Sequence, residues 1–337
     1  MNSQRYEEIS SRFASARVLV IGDLILDQFV WGRVSRISPE APVPVVEVDR
    51  ETQYPGGAAN VARNLREFTP HTSVLGMVGA DLHAQSLKQL LAKEGIHIEG
   101  VQEDPAYHTI VKTRIIARQQ QVVRVDREQK LRPTQAQLDR AIATLEGMLP
   151  HLDAVIVEDY GKGLIQQAFA DAIATRVRAA GKILAIDPNP LNPLQWRGAT
   201  VMKPNRSEAF ASADHRATEP VDPVEKDEAV RQVGKLLLDK WGCEILLITL
   251  GEQGMMLFRK NESPYHTPTR AKEVFDVSGA GDTAIALFTL ALSAGATASE
   301  AAEISNHASG IVIGKLGTAT VSAAELQRSF GPGQETQ

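Results

Sequence analysis

The sequence is poor in cysteine, in long apolar runs and in surplus positive charge, and each shortage closes off a class of function. A single cysteine, Cys243, stands among 337 residues, so no internal disulfide can form. No histidine or second thiol lies near it at metal-ligand spacing. At the head of the apolar run Cys243–Leu250 it reads as a small buried side chain. The longest apolar stretch, Ala284 to Leu292, is too short to span a bilayer. The opening residues, MNSQRYEEISSRFASARVLVIGD, carry early acidic groups and no apolar core followed by a cleavage site, so they do not read as a signal peptide. A formal net charge of −5 supplies no strong positive field for nucleic acid or anionic membrane. The expectation is a cytoplasmic protein whose partners are small molecules, with no nucleic acid and no membrane among them. Internal repeats are lacking. So is a Walker phosphate loop: Gly310 to Leu316, GIVIGKL, has the wrong spacing and no hydroxyl after Lys315.

What is present is the composition of a folded globular chain, 43% hydrophobic and 23% charged. Short apolar runs at Arg17–Gly22, Ser73–Gly79, Ala154–Val157, Ile183–Ile186, Thr200–Met202 and Ile245–Leu250 predict buried strands. Between them, Ala58–Phe68, Ala84–Lys93, Thr134–Met148, Gln166–Ala180 and Asp227–Trp241 have helical patterning. That alternation predicts an α/β fold with a mainly parallel sheet covered on both faces. Gly95, Gly181 and Gly295 mark helix ends. Two stretches depart from the pattern. VPVVEVD, around 43–50, and TIVKTRIIARQQQVVRVD, over 109–126, alternate with period two and have no intervening helix. They predict a small antiparallel sheet inserted as a lid, with a face suited to a second subunit; the alternative is an extension of the main sheet. The whole chain, 1–337, reads as one domain with a disordered tail over 331–337.

Polar residues and glycines gather just past the apolar runs. VLVIGD ends in Asp23, AVIVEDYGKG brings Glu158, Asp159 and Lys162, and ILAIDPN brings Asp187 and Asn189. VMKPN brings Lys203 and Asn205, and LLITLGEQG brings Thr249 and Gly251. In open parallel sheets the carboxyl ends of strands are where ligands bind. Each residue alone could equally cap a helix or form a turn.

The sharpest chemistry lies in FDVSGAGDTAIALFTLALSAG. Gly279, Ala280 and Gly281 precede an almost wholly apolar helix, so their backbone N–H groups and the helix N-terminus form an anion-binding nest. Asp282 follows in the first turn. It is either a favourable acidic residue at a helix start, part of a G-x-G-x-x-A dinucleotide fingerprint, or the base of a phosphotransferase. A carboxylate would repel a dinucleotide's pyrophosphate, and only the phosphotransferase reading uses every residue. In YPGGAANVARNLREF, Gly56 and Gly57 open a helix that presents Asn60, whose amide suits sugar hydroxyls; a plain turn and cap fits as well. Asn205, Arg206, Ser207 and Glu208 start another helix. Its i, i+3 carboxylate suits Mg²⁺ held through water, or else a capping box. Thr249, Gly251 and Gly254 form a further glycine turn.

Together these segments resemble the ribokinase-like, or PfkB, carbohydrate kinase family. GGAANVARN and DVSGAGDT match its two signatures in order, NRSE its magnesium and triphosphate motif, and TLGEQG its nucleotide segment, over about Val18 to Leu326. The resemblance implies a three-layer α/β/α sandwich with a small β lid that often mediates homodimers. It implies ATP as co-substrate, Mg²⁺, and room for a monovalent cation. Carried over by motif, Asp282 is the base and Gly279, Ala280 and Gly281 form the anion hole. Asn205 to Glu208, Thr249, Gly251, Gly254 and Asn306 serve ATP, and Asp23, Gly56, Gly57 and Asn60 the sugar. Ser278, Asn189 and His307 depart from the usual Thr, Lys and small residue. Within the family, SRISPEAPVPVVEV, RQQQVVRVD, EDYGKG and GIVIGKLGTATV are similar to the heptose 7-phosphate kinases of ADP-heptose and lipopolysaccharide-core synthesis. That likeness implies a sugar-phosphate acceptor, for whose phosphate Arg118, Arg124 and Lys162 are candidates. It also implies a separate nucleotidyltransferase downstream, since the sequence stops short of the extra domain many relatives carry.

Overall fold

The computed structural model describes residues 1–118, 120–270, 277–315 and 317–331. Among them, β1 (Val18–Gly22) is followed directly by β2 (Leu24–Ile37), which turns back as β3 (Pro44–Gly57) into a helix, Ala58–Arg66. β4 (Thr72–Gly79) and β5 (His97–Asp104) flank the helix Leu82–Lys93. β6 (Ile110–Ala117) and β7 (Gln120–Arg127) form a hairpin. Then come β8 (Ala154–Glu158), β9 (Ile183–Asp187), β10 (Val201–Met202), β11 (Ile245–Thr249), β12 (Met255–Arg259) and β13 (Tyr265–Thr267).

The strands form two sheets. The larger runs β13-β12-β11-β10-β9-β8-β1-β4-β5, parallel from β11 through β5, with β12 and β13 antiparallel at one edge. Its middle strands are apolar on both faces because both faces are covered. In β1, Val18 and Val20 join one core with the helices Ala58–Arg66, Ala280–Ser293 and Ala298–Val312. Leu19 and Ile21 join the other, with the helices Gln135–Met148, Gln167–Ala179 and Glu228–Trp241. Each such side chain, wholly removed from water, contributes roughly 1.5–3 kcal/mol.

The smaller sheet, β3-β2-β6-β7, differs from the expected antiparallel lid in its central pairing: β2 and β6 run parallel. Its longest unforeseen member is β2. Bulges between Trp31 and Gly32 and between Val34 and Arg36 interrupt the alternation that would have marked it. The sheet is separate and does not extend the larger one. Asp23 alone separates β1 from β2, and β3 passes straight into the next helix, its last residue Gly57 serving as the N-cap. Gly57 holds φ +59°, and a Cβ there would come within 2.6 Å of the Asp23 carbonyl oxygen.

No helix among the described residues is long and apolar enough to cross a membrane. Asp276, at the head of the late signature, and residues 332–337 of the expected tail lie outside the described residues.

Candidate active site

Five neighbouring strands, β1, β8, β9, β10 and β11, end at one rim, and the register aligns Gly22 with Glu158 and Glu158 with Asp187. A backbone bridge between Asn205 and Thr249 continues the line. The polar residues past the apolar runs therefore converge, as expected at the carboxyl edge of a parallel sheet.

Over this rim the helix Ala280–Ser293 begins at Gly279, which holds φ +81° and would bring a Cβ within 2.9 Å of the Asn60 amide nitrogen. Asp282 is only 8% exposed. Asn60, wholly buried, donates its amide N–H to Asp282 Oδ2 at 2.7 Å, and the Tyr160 hydroxyl donates to Oδ1 at 2.8 Å. Burial pushes the Asp282 carboxyl up from its ordinary range, and the bonds from Asn60 and Tyr160 pull it partly back. The result is an aspartate more basic than usual yet held in place. Asn60 thus touches Asp282 itself, a role that its first-turn position in the earlier glycine segment did not disclose.

Lys203 reaches the other side of the glycine turn, where its Nζ would lie 3.4 Å from a Cβ on Gly281. It pairs with Asp187 at 2.8 Å. Burial alone would depress the ammonium; Asp187, Glu158 and Glu208 outweigh it and push Lys203 up to about 12. A fixed cation therefore stands beside the nest. Glu158 is 1% exposed, and its Oε1 has no hydrogen-bond partner. Burial, then the charges of Asp187 and Asp282, push it well above the usual carboxylate range. Burial also raises Asp187, to about 7, against the pull of Lys203.

Next to the glycine turn lies a cavity of about 560 Å³. Thr249, Gly251, Gly254 and Asn306, half of the residues expected to serve ATP, line it together with Ala280 and Gly281 of the glycine turn; Asn205 to Glu208 do not. Asn306 spends its amide donors on Thr267 Oγ1 at 3.0 Å and the Pro268 carbonyl at 2.6 Å. His307 turns elsewhere, stacked at 4.0 Å on Phe330, and burial holds its imidazole down to about 4.

The remaining expected residues are more dispersed. Asn205 and Glu208 form a reciprocal capping box, with Glu208 Oε2 accepting from the Asn205 N–H at 2.7 Å and Asn205 Oδ1 from the Glu208 N–H at 3.0 Å. The Ser207 hydroxyl also donates to Asn205 Oδ1 at 2.7 Å. Arg206 is paired at 2.9 Å with the buried Asp227. Asp23 Oδ2 accepts the backbone N–H groups of Tyr160 and Lys162, which pins the strand-end loop to β1. Gly56 leaves room for the Asp27 carboxylate, which pairs with Arg114. Arg118 sits exposed at the hairpin turn, Arg124 grips Asp126 through two bonds, and Lys162 pairs with Glu128 at 2.6 Å. Tyr160 and the role of Lys203 were not foreseen. Each follows directly on a strand-end carboxylate or apolar pair, but nothing in that spacing tells where the side chain turns.

The glycine turn opens a late helix, while β1 ends in Gly22 and Asp23, so the dinucleotide alternative lacks its first-strand placement. The carboxylate, the cation and the nest instead form an arrangement able to deprotonate a hydroxyl and stabilise a migrating phosphoryl group.

Comparison with known proteins points the same way. The model for the pfkB family carbohydrate kinases matches residues 15–325. The bifunctional protein HldE of Desulfatibacillum aliphaticivorans is 41% identical over 318 residues, covering 94% of this chain and 63% of that protein. Its namesake from Nitrosococcus oceani is 43% identical over 324 residues, covering 95% and 65%. The chain thus spans a little under two thirds of the length of these relatives. Among solved structures, Arabidopsis thaliana ribokinase complexed with ribose and ATP matches with TM-score 0.69 at 18% identity, covering 94% of this chain and 98% of that one. Escherichia coli phosphofructokinase-2 in complex with substrates and products gives TM-score 0.72 at 16% identity, with the same coverage. At such identity the likeness is one of fold, a ribokinase-like α/β architecture.

Proposed function

Since the chain belongs to the pfkB family of carbohydrate kinases, and so is an ATP-dependent carbohydrate kinase, we propose that its acceptor is D-glycero-β-D-manno-heptose 7-phosphate. Phosphorylation at the C1 hydroxyl gives the 1,7-bisphosphate, which would feed ADP-heptose and lipopolysaccharide-core synthesis once a nucleotidyltransferase acts on it. The motif likeness to heptose 7-phosphate kinases supports the choice of acceptor. The observation that carries the chemistry is the buried, doubly hydrogen-bonded Asp282 beside the glycine turn, with the 560 Å³ cavity adjoining that turn.

In this reading Asp282 removes the proton from the acceptor hydroxyl as that oxygen attacks the γ-phosphorus of ATP, whose bond to the bridging oxygen breaks to release ADP. The backbone N–H groups from Gly279 to Gly281 and the Lys203 ammonium face the charge that spreads over the transferring group. Asn60 and Tyr160 keep the base oriented and ionised. Asp23, Gly56 and Gly57 shape the acceptor side, and Arg206 and Ser207 steady the start of the helix Arg206–Ser212 near the triphosphate.

The donor set fits a magnesium ion carried in with the nucleotide. Glu158 keeps a buried oxygen unpartnered, and Glu208 lies close enough to raise Asp187 and Lys203 electrostatically. Such carboxylates beside a polyphosphate need a divalent cation between them, and Mg²⁺ prefers to keep waters rather than fill a cage of side chains. Glu208 would hold it through water, with Glu158 behind. Bound there, the ion would neutralise phosphate charge.

A homodimer through the smaller sheet is part of the proposal. Val43, Val48, Val123 and Val125 are exposed on its strands and flanks, a surface that a second copy would cover. The test of the acceptor is mass spectrometry of the product formed from ATP and heptose 7-phosphate. A bisphosphate labelled at C1 is expected; no product, with turnover on another sugar, would overturn the assignment.

A further inference from the structure

β6 places one lysine, Lys112, between two carboxylates that other cations have taken. Lys112 is paired across the sheet with Asp27 on β2 and with Asp126 on β7, so the three side chains share a face. Two residues along, Arg114 emerges on that face and takes Asp27. From β7, Arg124 takes Asp126 at 2.8 and 2.9 Å. Three cations thus meet two carboxylates, and both carboxylates are committed to arginine. Lys162, also nearby, is committed to Glu128. The Lys112 side chain is left half-buried with no hydrogen bond or ion pair among the described residues; its ammonium lies over the Tyr160 ring, 5.8 Å from the centroid.

Burying a lysine is costly, and burial holds its ammonium below the ordinary lysine range although Asp27 and Asp126, both bonded to arginine, pull the other way. An arriving anion would complete the charge balance of this face. The position is specific. Tyr160 carries Lys112 over its ring face and Asp282 on its hydroxyl, so one tyrosine side chain links the cation to the proposed base.

We propose that Lys112 is the specificity-determining cation of the acceptor side, receiving a phosphomonoester that the sugar already carries while the sugar's far hydroxyl meets Asp282. Arg118 stands exposed at the hairpin turn and Arg124 is engaged by Asp126, whereas Lys112 is the half-buried cation of this face without such a pair among the described residues. The inference rests on the acceptor being a sugar phosphate. It does not need that sugar to be the heptose.

The test is the ratio of kcat/KM for a sugar phosphate to that for the same sugar without phosphate, measured in the wild type and in Lys112→Gln. The Gln variant is expected to lose roughly 10- to 100-fold of this ratio, through KM for the phosphorylated acceptor, with KM for ATP unchanged. An undiminished ratio would overturn the proposal. If the variant loses its native melting transition, amine acetylation of the wild type decides the question. Sugar phosphate should shield Lys112 from labelling and the plain sugar should not; equal labelling would overturn it. Failure of the heptose assignment is distinguishable, because it appears as a wild type that turns over a different sugar phosphate while still losing its preference in Lys112→Gln.

Discussion

Asn60 Nδ2 and Asp282 Oδ2, separated by 222 positions in the chain, lie 2.7 Å apart in the core of the site. Asn60 fixes the rotamer of Asp282, and its hydrogen bond favours the ionised carboxylate. Asp282→Asn should leave the melting temperature nearly intact and cut kcat by at least about 100-fold, the usual scale for a positioned base. Asn60→Ala should cut kcat less, by roughly 10-fold, with little change in KM for ATP. Steady-state kinetics decide both; retained turnover in Asp282→Asn would remove this residue from the mechanism.

Tyr160 makes a separate prediction through pH. Its hydroxyl bond lowers the pKa of Asp282. In Tyr160→Phe that carboxyl should take up its proton at a higher pH, so the acid limb of the kcat profile moves to higher pH. A limb that stays in place, or moves to lower pH, contradicts the hydrogen bond as described.

Glu208 closes a capping box, and it is also the proposed Mg²⁺ partner. The two roles separate by substitution. Glu208→Gln keeps an acceptor for the Asn205 N–H and should melt like the wild type, while needing more Mg²⁺ for half-maximal activity. Glu208→Ala should lose about 1 kcal/mol of stability as well. Unchanged Mg²⁺ titrations in both variants would confine Glu208 to its helix.

The buried carboxylates have a signature in thermal melting. Glu158 is raised well above its ordinary range and Asp187 to about 7. The folded chain holds protons there that the unfolded chain has released, so this stability is complete below the unfolded values and is lost as pH rises through the folded ones. Nucleotide-free protein should therefore melt higher as pH falls from about 8 to about 6.5. At lower pH His307, held down to about 4, begins to oppose the gain. Glu158→Gln should flatten the climb and raise the melting temperature near pH 8 by about 2–4 °C. An identical slope in the variant would show that Glu158 takes no part.

Much of this was legible because burial on two faces leaves a plain mark. The runs that became β1, β4, β8, β9 and β11 are apolar at consecutive positions, and the glycines that end helices at 95, 181 and 295 all hold positive φ. The glycine turn that opens the helix Ala280–Ser293 was legible too, since glycines directly before an apolar run mark a tight helix start. β2 was not, because its bulges shift the side-chain phase. The partners of Asp282 were not either: Asn60 and Tyr160 reach it from 222 and 122 positions away, and only tertiary packing sets those distances. Charge type was visible in Arg118, Arg124 and Lys112 alike. Which of them already had a counter-ion depended on cross-strand register.

The tight junctions at Asp23 and Gly57 bear on how such enzymes can be recombined. Asn60 lies three positions beyond Gly57, and Asn64 accepts the Thr283 hydroxyl at 2.8 Å, so the helix after β3 is stitched twice to the helix that carries Asp282. A graft that exchanged the smaller sheet at its own ends would import a foreign backbone angle directly upstream of those stitches. The transplantable unit therefore runs past Asn64, and any swap cut shorter should cost turnover before it costs folding.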